Sequence, residues 1–308
     1  MSDFSEDKIA VAYLMRAVEP PAPALAAFVS QIGPTEAAAR IKRGACPQKV
    51  QEEIVALPRG AIAVRDLAQA AAAETRLVTP GDDEWPSSPL AALAGAQDLG
   101  FRAMAPPLGL WVRGATRLNN AAERAIAIVG SRSSTTYGEY HAGQLSYQLA
   151  DRGISIVAGA SYGIDSAAHR GALSADGTTV AVLGCAIDEI YPAGHADLLR
   201  RIAESGALVS EYPPGTRPAL RRFTARSRLV AALTAGTVVI EAEQRSGTRK
   251  AATAAVLLGR ELMALPGPVS SALSAGCHHL IRSGDATLIA SVHDILHATG
   301  PAEPSITT

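Results

Sequence analysis

From Ala125 onwards, short apolar runs recur about every 25 residues, and each run is followed by a glycine-containing loop and a helix-like segment. These runs are AIAIVG, ISIVAG, TTVAVLG, ALVSEYP, TVVIEA, ELMALPG and ATLIAS. Uninterrupted apolar strands that alternate with helices form parallel sheets that are buried on both faces. The sequence therefore predicts a doubly wound α/β domain with a mostly parallel sheet.

The region before these runs has a different character. Residues 8–75 are alanine-rich, and prolines and glycines divide them into helix-like segments such as ALAAFVSQIG and PTEAAARIKRG. Two further candidate strands follow, in LVTPGDDEWP and LGLWVRG. We expect a small helical N-terminal domain over residues 1–76, the α/β domain over residues 77–298, and a tail over residues 299–308.

Composition narrows the class of protein. A chain of 308 residues with 48% hydrophobic and 19% charged residues can bury either one large core or a core plus a smaller satellite domain. The net charge of -1 provides no overall basic field for nucleic acid, so the local distribution of charge has to decide that question. The three cysteines, Cys46, Cys185 and Cys277, are far apart and indicate neither a zinc site nor a disulfide framework.

The location of the protein follows from what the chain lacks. Its N-terminus, MSDFSEDKIA, does not have the basic and then apolar design of a secretory signal. No apolar run reaches the roughly 18 residues that a membrane-spanning helix needs. We expect a cytoplasmic protein that has no contact with a membrane and needs no metal or other cofactor.

The first loop of the predicted α/β domain, GSRSSTTYG at residues 130–138, leaves a strand and enters a helix. Free backbone N–H groups and the helix dipole favour an anion at such a position. Hydroxyls such as those of Ser131 and Thr135 add donors, and Arg132 adds a planar fork, so the loop predicts a phosphate site. The alternative is an ordinary turn whose serines and threonines cap the helix. No P-loop lysine follows, which argues against hydrolysis of a nucleoside triphosphate.

The second loop, within GASYGIDSAAHRGAL, carries Gly159 and Gly163, which allow close backbone approach. Asp165 could cap the helix that follows. His169 comes four residues after Asp165, on the same helical face. We expect a buried His–Asp pair that braces the loop, since no nucleophile stands at a spacing that indicates catalysis.

Residues 213–236 form the most basic stretch of the chain. They hold five arginines and no acidic residue, with Phe223 among them; the arginines are Arg217, Arg221, Arg222, Arg226 and Arg228. Arginines with an interleaved aromatic residue suit single-stranded nucleic acid, because the charges hold the backbone and the ring stacks on a base. A solvated helix face is the alternative, although such a face normally mixes charges of both signs.

The stretch EAEQRSGTRKAATAA opens another helix. Ser246, Gly247 and Thr248 stand at its start, and Arg249 and Lys250 occupy its first turn. Cations at this end oppose the helix dipole unless a phosphate lies nearby. The alternative is that Arg249 and Lys250 are ordinary solvent-exposed surface residues with no ligand.

Taken together, these motifs resemble the DprA (Smf) family of DNA-processing proteins over roughly residues 79–296. The matching motifs, in order, are GSRSSTTYG, GASYGIDSAAHRGAL, GCAIDEIYP, SEYPPGTRP, F-x-x-R-x-R, RSGT, LPGPVSS and GCHHLIRSG. The resemblance implies a Rossmann-like domain preceded by a small SAM-like helical domain. It also implies a homodimer, not an enzyme, that binds single-stranded DNA, protects it during natural transformation, and helps to load a RecA-type recombinase.

The resemblance also implies roles for single positions. It matches Tyr137, Gly138 and Gly163 to DNA-pocket loops, and it supports the assignments of the preceding motifs. The predicted DNA-binding residues are Gly130, Ser131, Arg132, Thr135, Tyr137, Gly138, Gly163, Arg221, Arg222, Phe223, Arg226, Arg228, Ser246, Gly247, Arg249 and Lys250, with structural roles for Asp165 and His169.

This sequence departs from the family's F-P-x-R-N-R pattern at Thr224 and Ser227, and it has His278 and His279 where Asn-Arg is common. Such changes alter the shape of the pocket, as in a divergent paralogue. We expect no winged-helix domain of the kind that many members carry after the Rossmann-like domain.

A nucleotide-binding Rossmann protein is the alternative function. It would be either an enzyme similar to the phosphoribohydrolases or a nucleotide sensor. The phosphoribohydrolases use a P-G-G-x-G-T loop with a nearby glutamate, whereas the comparable loop here, at residues 243–248, lacks the double glycine.

Overall fold

The computed structural model describes residues 4–244 and 247–300, and it contains one nine-stranded sheet. The strands are β1 (Thr75–Val78), β2 (Leu110–Arg113), β3 (Ala125–Val129), β4 (Ser155–Ala158), β5 (Thr179–Leu183), β6 (Ala207–Ser210), β7 (Gly236–Val239), β8 (Glu261–Ala264) and β9 (Thr287–Leu288). Their spatial order is β1-β2-β6-β5-β4-β3-β7-β8-β9. Strands β3 to β9 are parallel to their neighbours among themselves, whereas β2 is antiparallel to both β1 and β6. The predicted α/β fold with a mostly parallel sheet is confirmed.

The helices of the N-terminal region are α1 (Glu6–Ala17), α2 (Pro23–Ile32), α3 (Pro34–Lys42), α4 (Gln48–Glu53) and α5 (Ile62–Ala72). The helices that follow are α6 (Ser87–Asp98), α7 (Leu118–Glu123), α8 (Thr136–Ala150), α9 (Ile164–Ser174), α10 (Ala196–Ser205), α11 (Leu220–Ala232), α12 (Arg249–Leu257), α13 (Ala275–Arg282) and α14 (Val292–Thr299). None of the helices in the described part of the chain is long and apolar enough to cross a membrane.

Both faces of the sheet are covered. Alternate residues of β3 point to opposite faces, so that Ile126 and Ile128 pack with α8 and α9, while Ala127 and Val129 pack with α11 and α12. A strand that is buried on both faces carries mostly apolar side chains, which explains why these segments are apolar runs and do not alternate.

The N-terminal helices share a cluster of buried side chains with one end of the sheet. Leu14 of α1 belongs to the same cluster as Leu77 of β1 and Trp111 of β2. Arg16 ties this region together further, because its guanidinium pairs with Asp66 at 2.7 Å and donates to the Pro214 carbonyl at 2.9 Å. The division of the chain into domains at residue 76 stays a prediction.

Candidate functional site

A crevice of about 400 Å³ lies at the carboxyl ends of β3, β4 and β7, with α11 on one side. This is the position at which doubly wound sheets bind ligands. The predicted site residues that line the crevice are Gly130, Ser131, Arg132, Asp165, Phe223, Arg226 and Gly247. The folded chain therefore brings residues from four separated motifs to one place.

Arg132 is the exposed cation of this crevice. Its guanidinium carbon lies 5.3 Å from the centre of the Phe223 ring, within the range of a cation–π contact. Among residues 4–244 and 247–300, no carboxylate forms an ion pair with Arg132. The side chain therefore presents a full positive charge beside an aromatic face.

The loop that carries Arg132 is held by hydrogen bonds to Glu241, a buried residue just after β7. The Ser131 N–H donates to the Glu241 carbonyl at 2.8 Å, and the Thr135 N–H donates to the Glu241 carboxylate at 2.9 Å. The Thr135 hydroxyl donates to the same carboxylate at 2.5 Å and accepts from Gly138 N–H as the cap of α8. For Thr135 the capping alternative is therefore correct, and its hydroxyl is not available to a ligand.

Three glycines of the predicted pocket are required by packing of the protein against itself. A Cβ on Gly130 would lie 2.5 Å from Ile164, and one on Gly138 would lie 2.3 Å from Glu241. Gly163 has a φ of +75°, and a Cβ there would lie 2.4 Å from the Ser131 carbonyl. Gly130 and Gly163 allow the two loops to pack together, and Gly138 allows α8 to pack on Glu241, so a role in close approach of a ligand is not needed to explain them.

Tyr137 is half-buried, and its hydroxyl donates to the Pro266 carbonyl at 2.7 Å. Burial raises the pKa of this phenol, and the charge of Glu241 adds to the effect. Tyr137 does not line the crevice, and its hydroxyl joins α8 to the segment after β8.

Arg226 lies in the crevice wall, but it is buried. Its guanidinium donates to the Val182 carbonyl at 2.6 Å, to the Gly159 carbonyl, and to the Ser161 hydroxyl at 3.0 Å. It also stands 3.5 Å from the Asp165 carboxylate. Burial raises the pKa of the Asp165 carboxyl, and the charge of Arg226 works against that rise. Most donors of Arg226 are thus already used within the protein.

Arg228 does not reach the crevice. Its side chain is 1% exposed and forms a two-pronged ion pair with Glu211, with N–O distances of 2.8 and 2.5 Å. The Nε donates to the Ala105 carbonyl at 2.8 Å. The prediction that Arg228 contacts a phosphate is wrong, because its fork is fully occupied inside the protein.

The other arginines of residues 213–236 require a similar correction. Glu19, in the connection between α1 and α2, accepts from Arg222 at 2.7 and 2.9 Å and from Arg221 at 3.2 Å. The stretch contains no acidic residue, but acids from elsewhere pair with four of its five arginines. The five arginines are therefore not all available to a nucleic acid, and Arg217 is the exposed arginine that keeps no such pair within the described chain.

The predicted His–Asp pair does not form. The α9 helix is capped by Gly163, and the Asp165 carboxylate accepts from Ser161 N–H at 3.2 Å, so Asp165 is not the cap. The His169 Nδ1 lies 2.7 Å from the Thr179 hydroxyl instead. His169 and Asp165 are both buried, as expected, but they brace different parts of the fold.

The hydrogen bonds of Thr179 determine the tautomer of His169. The Thr179 hydroxyl donates its single proton to the Ile156 carbonyl at 2.9 Å, so it can only accept from His169. The proton of the neutral imidazole is therefore on Nδ1, and the buried Nε2 has no partner within the described residues. Burial lowers the pKa of His169 to about 3, and the charge of Arg226 adds to this effect.

The start of α12 contributes less than the sequence predicted. Gly247 lines the crevice, whereas Arg249 and Lys250 are exposed in the first turn and do not line it. The Arg249 guanidinium donates to the Gln244 carbonyl at 3.3 Å. Ser246 lies outside the described residues.

Sequence reasoning did not single out Tyr191. The Tyr191 ring stacks on Phe223, with ring centres 5.2 Å apart and planes at 29°, and it is 40% exposed. Arg132, Phe223 and Tyr191 thus form a connected group of one cation and two rings. Tyr191 could have been found from the sequence, because it is an aromatic residue in the loop that follows the TTVAVLG run.

The chemistry that these groups can perform is recognition of an anion and of a flat apolar surface. A guanidinium can form two parallel hydrogen bonds with phosphate oxygens, and an exposed ring can stack on a base. Within residues 4–244 and 247–300, no three His, Cys, Asp or Glu side chains come together in a way that could hold a metal ion.

Comparison with known proteins places the chain among proteins of DNA recombination. Residues 76–300 match the family model described as DNA recombination-mediator protein A. A provisionally named DNA processing protein DprA of Mycobacterium tuberculosis is 47% identical over 289 residues, which are 94% of this chain and 74% of that protein.

Two solved structures are similar to the whole fold or to much of it. DNA processing protein A from Streptococcus pneumoniae has a TM-score of 0.75 at 26% identity, covering 96% of this chain and 98% of that one. DNA processing protein A from Helicobacter pylori, described for its single-stranded DNA binding mode, has a TM-score of 0.58 at 31% identity. It covers 62% of this chain and 86% of that one.

Proposed function

This chain belongs to the DNA recombination-mediator protein A family, the DprA and Smf proteins, and on that premise we propose that it binds single-stranded DNA in the crevice. The observation that carries the proposal is the exposed Arg132 guanidinium, which lies beside the Phe223 ring and has no ion-pair partner in the described part of the chain. The single-stranded DNA binding mode described for the Helicobacter pylori relative supports the choice of ligand.

In this proposal Arg132 holds a phosphate of the strand, and the Ser131 hydroxyl, which donates to the Ser133 carbonyl at 3.2 Å, shapes the loop that carries it. A base stacks on the exposed part of the Phe223 and Tyr191 pair, since aromatic stacking accepts any base. Arg226 contributes positive charge from the crevice wall. Gly247, Arg249 and Lys250 border the entrance from the α12 side.

Membership of the family supports a proposal for the wider role. We propose that the protein protects single-stranded DNA in the cytoplasm and helps to load a RecA-type recombinase, as in natural transformation. It acts through binding, not through an enzymatic reaction, and it requires no cofactor. The groups that support this are those of a binding site: a guanidinium and two rings.

Arg132→Ala is expected to weaken binding to a single-stranded oligonucleotide by about tenfold or more, since a charge-assisted hydrogen bond contributes about 1.5–3 kcal/mol. Removal of one phosphate contact should also flatten the slope of log K against log salt by about 0.7. The loss should be similar for oligonucleotides of different sequence, because phosphate contacts carry no base information. Fluorescence anisotropy over a salt series measures all three.

Arg152→Ala is the matched control for this experiment. Arg152 is exposed after the C-terminal end of α8, so the variant has the same change in net charge at a position away from the crevice. It should bind like the wild type. Normal affinity and an unchanged salt slope in Arg132→Ala would show that the loop is only a turn.

We also propose that the protein is a homodimer formed through the α/β domain. Strand β9 is an edge of the sheet, and apolar residues near this side are exposed, with Leu288 at 50% and Val269 at 94%. An exposed apolar edge is normally covered by a partner. Light scattering at micromolar concentration should give twice the monomer mass of 31.7 kDa, and a monomer mass would contradict the proposal.

A further inference from the structure

The Glu19 carboxylate forms ion pairs with two arginines at the start of α11, Arg221 and Arg222. The Arg222 Nε and Nη2 donate to its two oxygens at 2.7 and 2.9 Å, and the Arg221 Nη2 reaches it at 3.2 Å. This is the planar, two-pronged arrangement that arginine also offers to phosphate oxygens. Glu19 therefore fills the place that a phosphate of similar charge could take.

Glu19 does not belong to the sheet or to α11. It stands in the connection between α1 and α2, about 200 residues away from Arg222 in the sequence. The same region reaches the segment before α11 a second time, where Arg16 donates to the Pro214 carbonyl at 2.9 Å. The N-terminal helices thus hold an acidic residue over a basic surface of the α/β domain.

The surface that Glu19 covers is at the start of α11, the helix that borders the crevice. Arg222 is followed directly by Phe223, which lines the crevice and stacks on Tyr191. The Arg221 side chain is 68% exposed, so an extended strand leaving the crevice could reach it without rearrangement of the core. Arg217, which is also exposed, precedes the same helix.

The Glu19 contact is suited to exchange. Burial opposes ionisation of Glu19, and hydrogen bonds from Arg222 and Arg221 outweigh that effect and hold its pKa below the usual value. Glu19 is therefore a carboxylate ion that depends on the two arginines. Its side chain is 24% exposed, so water can receive it when another anion takes the arginines.

We propose that Glu19 is an autoinhibitory residue that stands in for a DNA phosphate and masks a second part of the DNA-binding surface, formed by Arg221 and Arg222. This inference rests on the proposed binding of single-stranded DNA in the crevice. When Glu19 withdraws, the strand gains one or two phosphate contacts beyond those in the crevice.

Glu19→Gln tests the proposal, because it removes the charge and keeps the shape. Each added phosphate contact steepens the slope of log K against log salt by about 0.7, which corresponds to about fivefold tighter binding at about 0.1 M salt relative to 1 M. The variant should therefore bind a single-stranded oligonucleotide more tightly than the wild type at about 0.1 M salt, by about fivefold for one added contact and about 25-fold for two. The double variant Glu19→Gln/Arg222→Gln should lose this gain.

Glu204→Gln is the matched control. Glu204 pairs with Arg200 on the surface of α10, so its replacement changes the net charge equally without uncovering α11. This control should keep the affinity and salt slope of the wild type. Thermal melting of each variant establishes that all are folded.

The outcomes separate the two proposals. If the wild type binds DNA and Glu19→Gln has the same affinity and salt slope, the masking role of Glu19 is overturned while DNA binding stands. An equal gain in Glu204→Gln would also overturn it, since the effect would then be one of net charge. If neither the wild type nor Glu19→Gln binds, both proposals fail.

Discussion

Glu211→Gln is expected to lower the free energy of unfolding by about 3–5 kcal/mol, because it leaves the Arg228 guanidinium charged and without its partner inside the protein. The two side chains are only 1% and 6% exposed, so water cannot replace the lost carboxylate oxygens. Small domains are stable by only about 5–15 kcal/mol, and the variant should therefore unfold at a much lower urea concentration.

A double variant separates loss of the pair from loss of packing. In Glu211→Met/Arg228→Met no buried charge remains, and replacement of a whole buried pair by apolar residues is often close to neutral. Most of the stability should therefore return. A loss under about 1 kcal/mol in Glu211→Gln would show that the pair behaves like a solvated surface pair.

Acidification is expected to destabilise the protein through His169. Its pKa is about 3 in the folded protein and 6.5 in the unfolded chain, so the unfolded chain takes up the proton first as the pH falls. The free energy of unfolding should not depend on this group above pH 6.5, and it should fall between pH 6.5 and pH 3. The contribution at about pH 4.5 is a loss of about 2–3 kcal/mol.

His169→Asn isolates this contribution, because an asparagine amide can still donate to Thr179 but does not titrate. Urea unfolding of both proteins between about pH 7.5 and pH 4.5 measures it by linkage. The free energy of unfolding of the wild type should fall by about 2–3 kcal/mol more than that of the variant over this range. Above pH 6.5 the two free energies should depend on pH in the same way. Parallel curves throughout the acid range would contradict a buried neutral His169.

The strands of the sheet could be predicted from the sequence, because each strand has a local pattern of apolar residues. AIAIVG has five consecutive apolar residues before its glycine and TTVAVLG has four, and a strand that is covered on both faces needs such a run. Strand β9 has just two residues, Thr287 and Leu288, and its run ATLIAS was still recognisable. The register and the order of the strands could not be predicted from these local patterns and are known only from the structure.

Which charged side chains of the site are free and which are paired could not be predicted in the same way, because their partners are distant in sequence. Arg228 pairs with Glu211, 17 residues earlier, and Arg226 faces Asp165. Within residues 213–236 an arginine that will be exposed and one that will be buried look alike. The exposed guanidinium of the crevice, Arg132, comes from a different loop.

Local rules also failed where tertiary contacts supplied a better partner. A spacing of four residues placed His169 and Asp165 on one helical face, but both side chains turn to other elements. Their partners, Thr179 and Ser161, belong to the next strand and to the preceding loop. Glu241, which fastens the first loop, lay within a strand-like run and carried no local sign of that role.

The fastening of the first loop to Glu241 has a consequence for the kinetics of ligand capture. Ordering a backbone residue costs about 1–2 kcal/mol in conformational entropy, and here that loss occurs when the protein folds. The hydrogen bonds from Ser131 and Thr135 to Glu241, and from Ile164 N–H to the Ser131 carbonyl at 3.1 Å, hold the loop in place before any ligand arrives. A DNA strand that binds in the crevice as proposed would meet a loop that is already ordered, and its association rate should be set by diffusion and charge, without a loop-closing step.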